Sequence, residues 1–214
     1  MAEDTQIVSN DSKNKDLKSF LLNNKKIVIV FVLIFLLSLF GYFFYVDYKK
    51  DQKVKISEQY NLAIISYDKD NSNITISKMT NIVNAKDPTY SPLAFYFLLD
   101  NNLINNKNEI NQYFDMLIKD VKLEEEVKNL IIFKKGLYNS DSANEEELLK
   151  ILYPLINSEN LWKSHALYIM AEYFFSKNEI TKSKEFFEKI LELGNSNPQI
   201  KQEAQKRLQR DFSV

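Results

Sequence analysis

Residues 27–46 read IVIVFVLIFLLSLFGYFFYV, twenty positions without a charged side chain. A helix rises about 1.5 Å per residue, so twenty residues span about 30 Å, the thickness of a bilayer's hydrocarbon core. A single helix also satisfies its own backbone hydrogen bonds, which lipid requires. The stretch therefore predicts one transmembrane helix. It divides the chain into a polar tail at 1–26, a span at 27–46 and a helical domain at 47–214.

Two other interpretations of this stretch are weaker. A cleaved signal peptide has a shorter apolar region, of about 7–15 residues, followed by small residues at the cleavage site. Here the run ends in Tyr42, Phe43, Phe44 and Tyr45, which are poor substrates for cleavage. A buried helix of a soluble core rarely exceeds about 14 apolar residues without a charge. We therefore expect an uncleaved signal-anchor.

The lysines that flank the span leave its orientation open. Five precede it within the tail and four follow it closely, and only Lys and Arg count in the positive-inside rule. Long C-terminal domains are translocated largely regardless of charge, which favours a cytoplasmic N-terminus. The chain has no Cys, so it needs no disulfide and suits either redox compartment.

Composition limits the fold class and the partners of the domain at 47–214. Its 23 Lys and Arg against 25 Asp and Glu give a net charge of −2, which argues against nucleic acid as a partner. The whole chain has only three Gly and four Pro. All-β proteins need turn glycines, so these counts favour an all-α fold.

Apolar residues recur at helical spacing throughout the domain, and short polar turns separate the helical segments. The pattern predicts about nine helices, the first of which continues from the span because no Pro or Gly intervenes. Helices paired antiparallel in series are typical of an α-solenoid. The predicted helices cover 53–67, 74–85, 90–104, 109–118, 123–138, 143–152, 161–176, 179–193 and 198–212.

A short repeat supports this architecture. Lys107-Asn-Glu-Ile110 recurs as Lys177-Asn-Glu-Ile180, an interval of seventy residues, close to two tetratricopeptide units of about 34 residues. We expect both copies at helix-turn-helix bends. The second copy lies in a segment that fits tetratricopeptide spacing, with a C-cap glycine expected after it at Gly194. The matching positions are Met170-Ala171, Phe174, Asn178, Ser183 and Phe187.

The layout and the last third of the chain resemble the bacterial YfgM-like proteins. The segments Leu152-Tyr-Pro-Leu155, Asn160-Leu-Trp162 and Ala166-Leu167, followed by Pro198 and a closing helix with Ala204, carry the resemblance. It implies a tetratricopeptide-like periplasmic domain, a cytoplasmic stub and a bacterial inner-membrane location. It also implies an ancillary subunit of the SecYEG translocon that works beside periplasmic chaperones and their client chains.

The sequence offers no residues for catalysis or for a cofactor. With no Cys and one His, His165, it lacks the convergent ligands of a metal site and the members of a catalytic triad. Three glycines do not build a phosphate-binding loop. We expect no enzyme activity, no cofactor, no metal and no small-molecule substrate, with His165 in a packing or surface position.

Seven residues are the candidates for contact with a partner. Two small residues in the span allow close approach of another helix. Aromatic residues in the helix after Pro88 exceed what one buried face needs, so they suit a concave groove, although core packing also accounts for them. The single Trp is either an interface anchor or a packing residue at a repeat junction. The seven are Ser38, Gly41, Tyr90, Phe95, Tyr96, Phe97 and Trp162.

Taken together, these features predict a membrane-tethered protein-binding scaffold whose partners are the lipid bilayer and other proteins. Tethering raises the effective concentration of a weak binding surface near its partner. The alternative is a structural protein that organises the envelope, in cell division or outer-membrane assembly.

Overall fold

The computed structural model describes residues 24–212, and all regular structure in that part is helical. It contains nine α-helices, one short 3-10 turn at Lys69–Asn71 and no strand, which confirms the predicted all-α fold. The predicted features of the tail at 1–23 lie outside the described residues. The helices are α1 Lys25–Ile65, α2 Asn73–Asn84, α3 Tyr90–Asp100, α4 Lys107–Asp120, α5 Glu125–Asn139, α6 Glu145–Ile156, α7 Lys163–Ser176, α8 Ile180–Glu192 and α9 Pro198–Asp211.

Helix α1 is unbroken over 41 residues and contains the whole apolar stretch. It is the one described helix that is long and apolar enough to cross a membrane, and none of its most apolar window is buried. The predicted continuation of the span into the next helix is confirmed. The chain divides into two compact units, 1–55 and 56–214, and the division falls inside α1.

The unit at 56–214 begins with a core that α1 shares with α2, α3 and α4. Ala63, near the end of α1, is wholly buried and packs with Met79 of α2. At the centre, the rings of Phe95 in α3 and Phe114 in α4 meet edge to face with centroids 4.8 Å apart. Edge-to-face contacts of this kind add about 0.5–1.5 kcal/mol to the burial of the rings.

The second half of this unit is a regular helical array. Helix α5 packs on α6 and α7, and α7 packs on α8 and α9. Helices α5, α7 and α9 begin at Glu125, Lys163 and Pro198, at intervals of 38 and then 35 residues. These intervals match the repeat length of about 34 residues in tetratricopeptide arrays. The array is therefore solenoid-like, as the sequence predicted.

Two buried serines hold helices together where they pack closely. The Ser183 hydroxyl on α8 donates to the carbonyl oxygen of Ala171 on α7 at 2.9 Å. The Ser91 hydroxyl on α3 donates to the carbonyl oxygen of Ile82 on α2 at 2.8 Å. Both serines are fully buried. The expectation of a small residue at Ser183 is confirmed, and its hydroxyl adds a hydrogen bond that size alone did not predict.

The turns differ from the sequence prediction in one respect. Gly194 does not form a left-handed C-cap: α8 ends at Glu192, its C-cap residue Leu193 has extended backbone, and no described glycine has a positive φ. Asn102 and Asn178 adopt left-handed conformations instead, with φ of 54° and 61°. Asn tolerates this conformation better than most residues. Each closes its helix with a bond typical of a Schellman motif, from Leu103 N to Leu98 O at 2.8 Å and from Glu179 N to Phe174 O at 2.9 Å.

The two Lys-Asn-Glu-Ile copies are not structurally equivalent. Lys107 is the first residue of α4, and Asn106 caps it by accepting bonds from the Asn108 and Glu109 amides. Lys177 instead follows the last residue of α7, and α8 starts at Ile180. The equivalent positions of the two turns are Asn102 and Asn178. The four-residue identity therefore located the two turn regions, but it did not align their structurally equivalent residues.

Helix α9 closes the array through Arg207. Its guanidinium lies 2.8 Å from the Glu172 carboxylate of α7, and also pairs with Asp211 in its own helix. The same group lies 4.4 Å from the centre of the Phe175 ring. An Arg that combines ion pairs with a ring contact fixes the orientation of its helix. These contacts agree with the closing role predicted for α9.

Candidate functional site

A groove with a volume of about 590 Å³ lies in the 56–214 unit, and three successive helices line it. Its lining residues come from α4, α5 and α6 and from the turn before α6. The apolar ones are Ile118, Ile132, Ala143, Ile151 and Pro154, of which Ile132 and Ala143 are buried. Such a volume falls within the range of about 300–1,000 Å³ that is usual for ligand pockets.

A reciprocal pair of amides lies among the lining residues of the groove. Asn111 Nδ2 donates to Asn139 Oδ1 at 3.1 Å, and Asn139 Nδ2 donates to Asn111 Oδ1 at 2.8 Å. Their remaining N–H groups donate to the carbonyl oxygens of Lys107 and Lys135. Asn139 is only 4% exposed, so an unpaired amide there would be costly. The pair ties α4 to α5 with every donor used.

A charged cluster ties the same two helices together beside the amide pair. The Asp115 carboxylate of α4 accepts from Lys135 of α5 at 3.0 Å and from Lys119 at 3.1 Å. Partial burial raises the pKa of Asp115, but the hydrogen bonds and charges of Lys135 and Lys119 outweigh it, so the pKa lies below its ordinary value. The negative charge of Asp115 is therefore permanent near neutral pH and fully neutralised.

The groove has an excess of positive charge. Four lysines and two carboxylates line it, Lys107, Lys119, Lys135 and Lys150 against Asp115 and Glu147. The Glu147 carboxylate accepts from the Asn144 amide, as part of the capping box that starts α6.

Two of these lysines are left without a carboxylate. The ammonium group of Lys107 lies 2.6 Å from the Ser142 hydroxyl. Within residues 24–212, neither Lys107 nor Lys150 forms an ion pair. The groove is therefore equipped to bind a negatively charged group.

The four aromatic candidates of α3 lie outside this groove. Phe95 is 0% exposed, so it belongs to the core and does not reach a partner, which corrects its place among the groove candidates. Tyr90 donates to the Ser57 hydroxyl at 2.7 Å, and the Phe97 ring meets Tyr67 at 5.2 Å. The Lys134 ammonium lies 4.3 Å from the centre of the Tyr96 ring. Tyr90, Tyr96 and Phe97 are partly exposed, but each packs against another helix or a neighbouring lysine.

Trp162 lies at the junction of α5 and α7. Its ring stacks on Phe133 with centroids 5.1 Å apart, and His165 lies 5.2 Å from it. Burial lowers the pKa of His165, and the carbonyl of Leu161 opposes this only in part. Trp162 is half-buried, so packing at a repeat junction explains its position. The structure brings it together with His165 but with none of the other six candidates.

Ser38 and Gly41 lie in the apolar part of α1, and both are exposed. No atom comes within 4 Å of the position that a Cβ would take at Gly41. Both positions are therefore open to another helix.

The groove residues were not identified from the sequence. One feature did point to them: Asn is a weak helix former, and Asn111 lies inside α4. An Asn in a helix interior usually has a specific hydrogen-bond partner, which here is Asn139. Nothing comparable in the sequence pointed to Lys107 and Lys150 as groove residues, because exposed lysines are common on every helix.

Comparisons of the chain with protein-family models, with curated proteins and with solved structures give no match.

Proposed function

We propose that this protein is a membrane-anchored scaffold that binds other proteins and acts by binding rather than by catalysis. The observation that carries the proposal is the joining of a membrane-length apolar helix to a solenoid-like helical array. Helical arrays of this type present extended surfaces that suit protein ligands.

Anchoring gives such a scaffold a physical advantage. A weak binding surface fixed at a membrane meets a partner in the same membrane at a high effective concentration. Contacts of modest individual strength then suffice for a stable complex. The exposed small residues Ser38 and Gly41 of α1 offer a second contact, inside the bilayer, that acts together with the array.

The finer proposal rests on the resemblance to YfgM-like proteins over residues 152–208. It places the span in a bacterial inner membrane, with a cytoplasmic N-terminus and a periplasmic C-terminal domain. The partners proposed are the Sec translocon and the periplasmic chaperones or client chains that meet emerging polypeptides. Nucleic acids and small-molecule substrates have no part in this proposal.

A reporter fused after Val214 tests the orientation. Alkaline phosphatase is active only when exported, and a fluorescent protein that folds only in the cytoplasm is the matched control. The proposal expects active phosphatase and a dark fluorescent fusion. The opposite result would overturn the periplasmic assignment.

Site-specific crosslinking tests the partners. A photoreactive residue is placed at Ser38, at Gly41 and at Lys150, followed by affinity purification in mild detergent and identification of the crosslinked proteins. The proposal expects products with translocon subunits from the α1 positions. Products confined to cell-division or outer-membrane assembly proteins would favour the structural alternative instead.

A further inference from the structure

We propose that the groove between α4, α5 and α6 binds an extended acidic segment of a partner protein. The inference rests on the proposed scaffold function and names the chemistry of its ligand. It starts from a contrast in charge: the domain at 47–214 has a net charge of −2, whereas the groove has four lysines against two carboxylates.

The excess charge is available to a ligand. Asp115 is already neutralised by Lys119 and Lys135, so these three groups form a closed set. Lys107 and Lys150 line the groove from different helices, one from α4 and one from α6. Neither forms an ion pair among the described residues, so both ammonium groups are free to pair with carboxylates of a ligand.

The shape and the apolar surface favour a peptide over a free anion. Ile118 and Ile151 are partly exposed, line the groove together with the lysines and offer contacts to apolar side chains, whereas Ile132 is only 5% exposed. In an extended strand, successive side chains point to opposite sides. A segment in which pairs of acidic residues alternate with pairs of apolar residues therefore presents both kinds of side chain on the face that meets the groove. A small inorganic anion would leave this apolar surface uncovered.

The walls of the groove are held in place before a ligand arrives. The Asn111–Asn139 amide pair and the Asp115–Lys135 ion pair both join α4 to α5. The capping box of Asn144 and Glu147 fixes the start of α6. A preformed groove avoids the entropic cost of ordering its walls on binding.

The test measures binding of a fluorescein-labelled peptide of eight residues in which pairs of Glu alternate with pairs of Val. The protein is the full chain in phosphatidylcholine nanodiscs, and fluorescence anisotropy reports the affinity. We expect the double variant Lys107→Glu with Lys150→Glu to bind roughly tenfold more weakly. The matched control is Lys122→Glu with Lys128→Glu, which makes the same change of charge at exposed lysines outside the groove and should stay within about twofold.

Further measurements distinguish the contribution of charge to peptide binding from that of the Lys107 hydrogen bond. Ser142→Ala removes the hydrogen bond of Lys107 without changing the charge, and it should leave the affinity within about twofold. A peptide with Gln in place of Glu should bind at least roughly tenfold more weakly. Thermal unfolding of each variant confirms that the groove remains folded.

Several results would overturn the inference. The first is that the acidic peptide does not bind the wild-type protein. The second is that the groove variant and the control variant lose equal affinity for the peptide. The third is that inorganic phosphate or phosphatidylglycerol nanodiscs displace the peptide fully. If the groove variant loses the peptide but keeps its partners in cells, the groove is not their site. If crosslinks to partners are absent from the wild-type protein, the scaffold function itself fails.

Discussion

Gly136 of α5 lies directly against the side chain of Leu152 in α6. A Cβ atom built on Gly136 would come within van der Waals overlap of Leu152, 3.0 Å from its Cγ and closer still to its Cδ2. Both residues are buried, and Leu152 is 0% exposed. The absence of a side chain at Gly136 is therefore what lets α5 and α6 pack at this distance. Gly136 stands 35 positions before Ala171, the small residue of the next helix pair.

Replacing Gly136 with Ala should destabilise the protein. Ala in a helix is favoured over Gly by about 1 kcal/mol, but overpacking a filled core costs about 1–3 kcal/mol. Leu152 is fully buried and its side chain must shift to make room for the new Cβ, so we expect a net loss of about 1 kcal/mol in the free energy of unfolding. Chemical denaturation of the full chain in detergent micelles measures it.

Gly194→Ala is the matched control for this variant. No atom lies within 4 Å of the Cβ position at Gly194, and its φ is not positive. A change within about 0.5 kcal/mol is expected there. Adding Leu152→Ala to Gly136→Ala should cost less than the sum of the two single changes, because the smaller residue removes the overlap. Strict additivity of the two costs would show that the contact is not the cause.

Ser183→Ala should lower the free energy of unfolding by about 1 kcal/mol, because it removes the buried hydrogen bond to the Ala171 carbonyl. The same result is expected for Ser91→Ala in the first core. Ser176→Ala is the control, since that hydroxyl is exposed and bonds only within its own helix end. Equal effects at buried and exposed positions would contradict a role in joining helices.

Lys86→Gly should raise the free energy of unfolding. Lys86 has a φ of 55°, a left-handed conformation that costs a residue with a Cβ about 1–2 kcal/mol. Its ion pair with Asp120 joins two half-exposed side chains and contributes little. We expect a gain of about 1 kcal/mol in denaturation experiments. Lys86→Ala keeps the strain and loses the ion pair, so it should be slightly destabilising.

His165 should make stability depend on pH below its ordinary pKa of 6.5. Burial lowers its pKa in the folded state, so between that lower value and 6.5 the unfolded chain binds the proton and the folded protein does not. The contribution of His165 to stability is thus complete above pH 6.5 and declines as the pH falls towards the folded-state pKa.

His165 is the only His in the chain, and no other side-chain type has its ordinary pKa between pH 5 and 8. His165→Gln should therefore lose less stability than the wild-type protein between pH 7 and pH 5. Trp162, which contacts the His165 ring, gives the fluorescence readout for both proteins. Equal losses in the two would assign the pH dependence to other groups.

The sequence was most informative where a pattern is long and periodic. The apolar stretch at 27–46, the helical spacing and the scarcity of Gly and Pro were enough to predict an all-α fold with one candidate span. The nine helices in the described part begin and end within two residues of the predicted bounds, except that α3 ends at Asp100 rather than at 104 and α6 continues to Ile156 rather than ending at 152. Pro154 lies inside α6, two residues before its end.

What the sequence did not predict depends on contacts between distant residues. Left-handed turns fell at Asn102 and Asn178 rather than at Gly194, because Asn tolerates that conformation as well. The partnership of Asn111 with Asn139 joins residues 28 positions apart, and no local pattern links them. Phe95 and the partly exposed Tyr90, Tyr96 and Phe97 are all aromatic residues of one helix, so the sequence does not distinguish them. Only the packing of α3 shows that Phe95 belongs to the core.

The unbroken course of α1 also bears on proteolysis. Proteases cut segments that can be drawn out into an extended conformation, and cleavage is usually concentrated in loops between compact units. Here the division between the units falls between Lys55 and Ile56, inside a helix that continues to Ile65. The lysines from Lys49 to Lys55 are thus protected by helical hydrogen bonds despite their exposure. Release of the array by a trypsin-like protease would first require this part of the helix to melt.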